Sequence, residues 1–338
     1  MRYEMKKIIN SLKKKYRYYK QRIYEFDLCV KEYGANARTT PNEEEISFKN
    51  RMLLQVHRVE KGLGLEDCEP GHSSSVAADL EYRLLQYIDL NYDTHDYAFE
   101  ETFSVLSAYL DYQKKYGNPN WKQLPALEET YQKIVNVIGA EYARKIIDTY
   151  KAGAYRINET DVKPNFDFEK FIESRHSMRM FANQKVDEQD VRRIVKLANM
   201  APSACNRQPA KVYFVQDTNK LKQVDHLITG NHGFEGKIPY YIILTENRAQ
   251  FAGEEQFQWY INGGIYLSYL TLAIHSLGMG SCIMQWKAFH KNEPELKKAL
   301  GITKNEAIIA VIGCGHYQEE SKVICASRKS VTETLTMI

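Results

Sequence analysis

The sequence is poor in the features that would place it in a membrane, outside the cell or on a nucleic acid. No stretch approaches the roughly 18 consecutive apolar residues that a bilayer-spanning helix needs. The first residues are too charged for a secretory signal, which requires an apolar central region. The six cysteines, Cys29, Cys68, Cys205, Cys282, Cys314 and Cys325, are scattered with no CxxC pair and no zinc-ligand spacing. Such usage suits a cytoplasmic chain with reduced thiols and no metal centre. Formal net charge is only +3, which gives no argument for a nucleic-acid partner. There is no GxGxxG dinucleotide fingerprint, no convincing internal repeat and no low-complexity segment.

What remains is an ordinary globular composition, 43% hydrophobic and 26% charged over 338 residues, long enough for two domains. Residues 1–160 read as a helical N-terminal domain. Met5, Ile8, Ile9, Leu12, Tyr16, Tyr19 and Ile23 recur at helical spacing, while Arg2 to Arg22 holds nine basic residues and one acid. A basic amphipathic helix of this kind suits peripheral contact with an anionic membrane, or a partner. A helix packed on its own protein with a solvated basic face has the same pattern. Further helical patterns run from Glu44 to Lys61, Val76 to Leu90, Tyr97 to Tyr116 and Pro125 to Tyr150, with a turn at Gly117 to Asn120.

Asn158 to Asp167 reads as a linker, and after it the texture changes. Val186 to Met200 is an amphipathic helix with Asp187 at the N-cap position. Strands are expected at Val212 to Val215, Tyr240 to Thr245 and Ala307 to Ile312. Gln256 to Leu277 is nearly all apolar or small, which predicts a central buried helix stopped by Gly278. Asn292 opens a short helix that stops at Gly301. Residues 166–338 thus form a second domain.

Four constellations carry chemistry. Arg175, Ser177 and Arg179 alternate, so an extended backbone points all three to one side, and two guanidiniums with a hydroxyl suit a phosphate. Surface arginines at this spacing are also commonly just solvated. The loop Ala201-Pro-Ser-Ala-Cys-Asn-Arg-Gln-Pro-Ala210 is restricted by Pro202 and Pro209. It offers Ser203, Asn206 and Gln208, whose amides can pair with the donor and acceptor edge of a heterocycle. Cys205 has no base at motif spacing, so a small packed thiol is its simpler reading. Gly278-Met-Gly-Ser-Cys-Ile-Met-Gln-Trp286 reads as a glycine-rich turn whose backbone can approach a planar ligand. Arg328-Lys329 follows Gly313-Cys-Gly-His316 by twelve residues.

The order of these motifs is similar to that of the FMN-dependent nitroreductase superfamily, which includes nitroreductases, flavin reductases, iodotyrosine deiodinase and flavin-destructase enzymes. Arg175-His-Ser-Met-Arg179-Met-Phe181 resembles its Arg-x-Ser-x-Arg-x-Phe opening, and residues 202–209 resemble its Pro-Ser-x-x-Asn-x-Gln-Pro loop. Leu277-Gly-Met-Gly-Ser-Cys282 resembles its Leu-Gly-Leu-Gly-Ser/Thr-Cys turn, and Arg328-Lys329 its terminal Arg-Lys. The resemblance spans about half of the chain and implies an α+β fold, a mixed sheet flanked by helices, here preceded by the all-α domain. It also implies FMN with NADH or NADPH as reductant, a small organic acceptor, and a homodimer with FMN at the subunit interface.

By the same resemblance Arg175, His176, Ser177, Arg179 and Arg328 hold the phosphate and ribityl chain. Pro202, Ser203 and Asn206 meet the flavin from the partner subunit, and backbone at Met284 and Gln285 lies near its reactive N5. No catalytic side chain is singled out. The chain departs from the pattern at Gln285 and Trp286, where many relatives are small, and at Arg207, a charge that favours an anionic substrate or faces water. Outside the resemblance, His57, Glu60 and Lys61 share a helix face. They suit a lid or substrate-binding element, or simply a helix end capped by Gly62. Three other functions fit the same residues: dehydrogenation of a tailored substrate, destruction of the flavin itself, and a non-catalytic scaffold or peripheral membrane protein.

Overall fold

The structure is a computed structural model. It describes residues 45–64, 71–116, 123–154, 166–231, 233–251, 255, 257–286, 292–321, 323 and 330–338, with isolated positions between 12 and 26. Most of the basic N-terminal segment, the turn at 117–120, most of the linker and Arg328-Lys329 lie outside the described residues. The chain divides into two compact units, each built around its own core.

The first unit comprises Met1–Asp161 together with two short insertions from later in the chain, Ala204–Arg207 and Arg248–Gln258. Its described helices are α1 (Glu45–Leu63), α2 (Ser74–Asp89), α3 (Tyr97–Tyr116), α4 (Leu124–Ile138) and α5 (Ala140–Tyr150). Each contributes one apolar stripe at helical spacing. Met52, Val56, Val59 and Leu63 of α1 meet Leu80, Leu84 and Tyr87 of α2 and Phe99, Phe103 and Leu106 of α3 in one cluster. Tyr142 and Tyr150 fasten α5 to α3, both donating to the Glu100 carboxylate at 2.7 Å. Gly62 does not cap α1, which runs on to Leu63. The space its side chain would fill is taken by the His72 ring.

The second unit comprises Val162–Ser203, Gln208–Asn247 and Trp259–Ile338. Helices α6 (Phe168–Ser174) and α7 (Glu188–Ala198) precede strand β1 (Ala210–Val215). Then come α8 (Thr218–Leu227), β2 (Tyr240–Asn247), α9 (Gln258–Ser276), β3 (Met279–Met284), α10 (Asn292–Leu300), β4 (Glu306–His316) and α11 (Val331–Thr334). Asp187 stands at the N-cap of α7 but its side chain makes no capping bond. Asp217 does cap α8, accepting from Asn219 N and Lys220 N.

The sheet order is β1-β2-β4-β3, and all three pairings are antiparallel. Among the described residues the parallel part of the expected mixed sheet is a single bridge, Ser177 to Ser281. Alternation along β2 sends Ile242 and Leu244 to one core, with Leu270 and Ile274 of α9, and Tyr241 and Ile243 to the other, with Val224 and Leu296. The sheet is therefore covered on both faces.

Two expectations need correction. The glycine-rich stretch after α9 is the edge strand β3 rather than a turn, paired Ser281 to Cys314 and Met284 to Val311. Only Gly278, at φ 69°, turns the chain out of the helix. Helix α9 is buried along one side alone: Tyr260, Ile261 and Tyr269 are 43%, 54% and 41% exposed, so an apolar stripe of this helix faces outward in the single chain.

Candidate functional site

The anion clamp is built where α6 ends. Arg175 is the extended C-cap residue of α6, and the next residues run alongside β3. Met178 N donates to the Ser281 carbonyl at 2.9 Å, and the Met178 side chain is buried at 2% exposure. With Met178 turned inward, alternation leaves Ser177 exposed and Arg179 half-buried on the outer side. His176 Nδ1 donates to the Ser174 carbonyl at 2.9 Å.

Neither Arg175 nor Arg179 meets a carboxylate within ion-pair distance among the described residues; Arg179 Nη1 reaches only the Ser177 carbonyl, at 3.3 Å. Both guanidiniums act on Cys282, where burial raises the thiol pKa and Arg179 and Arg175 oppose the rise. Two half-buried cations beside a hydroxyl and a histidine, with no internal anion, form a donor set that fits a phosphate.

A polar group behind the clamp escaped the sequence. His275, near the end of α9, lies 2.8 Å from Ser174 Oγ through Nε2 and 3.2 Å from the Tyr317 hydroxyl through Nδ1. Burial lowers its pKa, aided by Arg175 and His176. The three residues stand far apart in the chain, so only the fold brings them together.

At the other end of β3, Met284 is buried in the core and cannot offer its side chain to a ligand. Gln285 has its carbonyl bonded by Thr229 Oγ1 at 3.3 Å, and Gly230 lies so close to the Gln285 amide that a side chain there would collide. Trp286 packs partly against the unit's core, and its buried Nε1 has no hydrogen-bond partner among the described residues. Gly280, expected to admit a ligand, instead admits Met178, whose Cγ would stand 2.6 Å from an added Cβ.

The loop from Ala201 to Ala210 divides between the units. Ser203 Oγ accepts from Gln208 N at 3.1 Å. Pro202, Ser203, Gln208 and Pro209 line a cavity of about 100 Å³ with Glu246, Asn262 and Tyr266. Cys205 at φ 51° and Asn206 at φ 52° are left-handed and belong to the helical unit. There Asn206 Nδ2 reaches the Tyr97 hydroxyl of α3 at 3.5 Å. Arg207 corrects its expectation outright. It is 1% exposed, pairs with Glu255 and donates to the carbonyls of Ala204 and Gln250, so it faces neither water nor a substrate.

Also in the helical unit, His57 Nδ1 lies 3.6 Å from Glu60 Oε2, and Lys61 is exposed. The Glu60 pKa is raised by burial against the pull of His57. Glu101 on α3 is pushed up to about 7 by burial and by Glu60. The structure therefore joins His57, Glu60 and Glu101 on neighbouring helices, while the clamp at 175–179 joins β3.

Comparison with known proteins covers the C-terminal half of the chain. The model of the Nitroreductase family matches residues 172–316. A relative from Archaeoglobus fulgidus, named in part for NAD(P)H nitroreductase, is 25% identical over 154 residues, which is 45% of this chain and 86% of that protein. FMN reductase (NAD(P)H) from Bacillus subtilis is 24% identical over 168 residues, 45% of this chain and 66% of that protein. The crystal structure of a nitroreductase family protein from Streptococcus pneumoniae covers 51% of this chain and 100% of its own, at 24% identity and a TM-score of 0.44. The Nitroreductase family model thus matches residues 172–316 and does not cover helices α1 to α5.

Proposed function

We propose that the protein is an FMN-dependent oxidoreductase that draws on NADH or NADPH and reduces a small organic acceptor. The observation that carries this reading is the parallel bridge between Ser177 and Ser281. It sets the phosphate-type clamp of Arg175, His176, Ser177 and Arg179 beside the strand that ends at Met284, one residue before Gln285. When bound, FMN supplies the hydride chemistry, and the protein supplies binding, orientation and exclusion of water. Arg175 and Arg179 would neutralise the phosphate and Ser177 would donate to it; Arg328, which the resemblance adds to this set, lies outside the described residues. The backbone at Gln285, held by Thr229, would help to hold the ring. A nicotinamide needs no fingerprint of its own, because it stacks on the flavin.

The functional unit in this reading is a cytoplasmic homodimer, with Pro202, Ser203 and Asn206 reaching the partner's flavin. Its support is the outward apolar stripe of Tyr260, Ile261 and Tyr269 on α9, with Met200 75% exposed near the same loop.

Purification tests the reading directly. The expected sample is yellow, with about one FMN per chain, and bleaches on addition of NADH or NADPH under nitrogen. A colourless protein that cannot be reconstituted with FMN overturns it. Bound flavin that neither nicotinamide reduces moves the protein to one of the other flavin chemistries.

A further inference from the structure

The clamp at 175–179 hangs between two attachments. On its far side Met178 N is bonded to the Ser281 carbonyl and Ala182 N to the His316 carbonyl, both at 2.9 Å. Its near side begins at α6, a helix of seven residues of which none is buried. A helix this short has little stability of its own and depends on what it docks against. Among the described residues, the hydrogen bond and the ring contact that tie α6 to the rest of its unit both fall on His275. Ser174 Oγ lies 2.8 Å from His275 Nε2, and the Phe171 ring stands 4.9 Å from the imidazole, centroid to centroid.

His275 is itself firmly placed. It is the penultimate residue of α9, its carbonyl accepts from Gly278 N at 3.0 Å, and its Nδ1 lies 3.2 Å from the Tyr317 hydroxyl. Tyr317 follows β4 directly and packs partly against the core of the unit. The hydrogens fix the direction of both side-chain bonds. Ser174 has one hydroxyl hydrogen, and it goes to the Phe171 carbonyl at 2.9 Å. Ser174 Oγ must therefore accept from Nε2–H. In a neutral ring Nδ1 is then bare and accepts from the Tyr317 hydroxyl. Burial lowers the pKa of the ring against the pull of the Phe171 carbonyl, and Arg175 and His176 lower it further, so the ring is neutral near pH 7.

We propose that His275 is the positioning residue of the clamp. Through Ser174 it fixes the point from which Arg175 and His176 start, and so sets how well the site receives the phosphate of a flavin nucleotide. The inference rests on the reading of residues 175–179 as the phosphate site and adds the residue that holds them in place. With Ser174 and Met178 both anchored, only Arg175, His176 and Ser177 span the gap. Releasing the Ser174 anchor frees a donor set whose affinity depends on being held ready before the anion arrives. His275 needs no contact with the flavin for this; its effect passes through one hydroxyl, one residue ahead of Arg175.

The preference of the full-length protein for FMN over riboflavin, which differ by the phosphate alone, reports the state of the clamp, and quenching of flavin fluorescence measures both affinities. His275→Phe keeps a ring against Phe171 and loses both hydrogen bonds. It should lower the FMN preference roughly five-fold, about what one hydrogen bond contributes, and leave riboflavin affinity as in the native protein. His275→Gln, which can offer an N–H to Ser174 and an oxygen to Tyr317, should restore most of the preference. Ser174→Ala, at an exposed position, should match His275→Phe, and the double variant should lose no more than either, as one shared link requires. An unchanged preference in His275→Phe and Ser174→Ala, while Arg175→Ala lowers it, overturns the inference and leaves the clamp standing. Equal losses of FMN and riboflavin affinity in His275→Phe also overturn it, since the side chain then supports the fold and not the clamp. A native protein without FMN preference, or a preference that Arg175→Ala leaves intact, overturns the phosphate reading and this inference together. Should His275→Phe fail to fold, Ser174→Ala decides.

Discussion

Arg207 and Glu255 form a two-pronged ion pair, Nη1 to Oε2 at 2.8 Å and Nη2 to Oε1 at 2.5 Å. The guanidinium also lies over the Phe251 ring, 4.8 Å from its centroid. These contacts fasten one insertion of the helical unit to the other. Just before Arg207 stand two left-handed residues, Cys205 and Asn206, a backbone state that for a non-glycine residue needs support from its surroundings. Arg207 supplies that support for the loop that presents Asn206.

Removing the carboxylate leaves a fully buried guanidinium without its counter-ion, a change that typically costs about 3–5 kcal/mol. Glu255→Ala is therefore expected to lower the urea midpoint sharply. Arg207→Met should cost less, because the Glu255 side chain is 28% exposed and can be hydrated. Equal midpoints for Glu255→Ala and the native protein would show that the pair contributes nothing to stability.

The clamp predicts a separation between flavin forms. A charge-assisted hydrogen bond contributes about 1.5–3 kcal/mol, so Arg175→Ala and Arg179→Ala should each weaken FMN binding roughly 10- to 100-fold. Riboflavin, which lacks the phosphate, should bind both variants as it binds the native protein. Quenching of flavin fluorescence reports both affinities. Equal losses for FMN and riboflavin would move the two arginines away from the phosphate.

Much of the second unit is legible in the sequence, because its strands and helices follow burial periods that single segments display. Ala307 to Ile312 is apolar throughout since β4 is covered on both faces, and α7 follows its amphipathic stripe. What stayed hidden depends on long-range pairing. Gly278 to Trp286 looks like a turn by composition, yet its glycines allow close approach of Met178 within a strand. Arg207 reads as a surface charge, since its partner Glu255 stands 48 positions on. Glu246 occupies an ordinary alternating position in Tyr240 to Asn247, and nothing local says that its neighbours leave a cavity. In the helical unit the apolar stripes announce the helices, whereas the meeting of Glu60 with Glu101 requires the packed bundle.

Glu81 gives a pH dependence of known sign. It is 2% exposed on α2, with Oε1 lacking a hydrogen-bond partner among the described residues, and burial pushes its pKa up to about 8. The folded state then holds a proton that the unfolded chain releases above about 4.5. Its stabilising effect is complete below that value and is lost as pH rises through 8. Glu81→Gln, neutral at every pH, should match the native protein at pH 4. At pH 9 it should exceed it by a few kcal/mol, at about 1.4 kcal/mol per pKa unit. Thermal midpoints between pH 4 and 9 test this, and parallel curves for the two proteins would contradict it.

Gly280 ties the stability of the sheet to the clamp. An added Cβ would stand 2.6 Å from Met178 Cγ, 2.9 Å from Met178 Cβ and 3.2 Å from Tyr317 Cε1. Because Met178 N is bonded to the Ser281 carbonyl, Met178 cannot withdraw without pulling the 175–179 segment off β3. Gly280→Ala should therefore cost about 1–3 kcal/mol through overpacking and weaken FMN binding as well. Met178→Ala opens space instead, at about 2–5 kcal/mol for a buried methionine. Combining the two removes the closest clash, so the double variant should be less destabilised than the sum of its parts. Part of the FMN affinity lost in Gly280→Ala should return with it. Strict additivity, measured by denaturation of all four proteins, would mean that the glycine is there for some reason other than Met178.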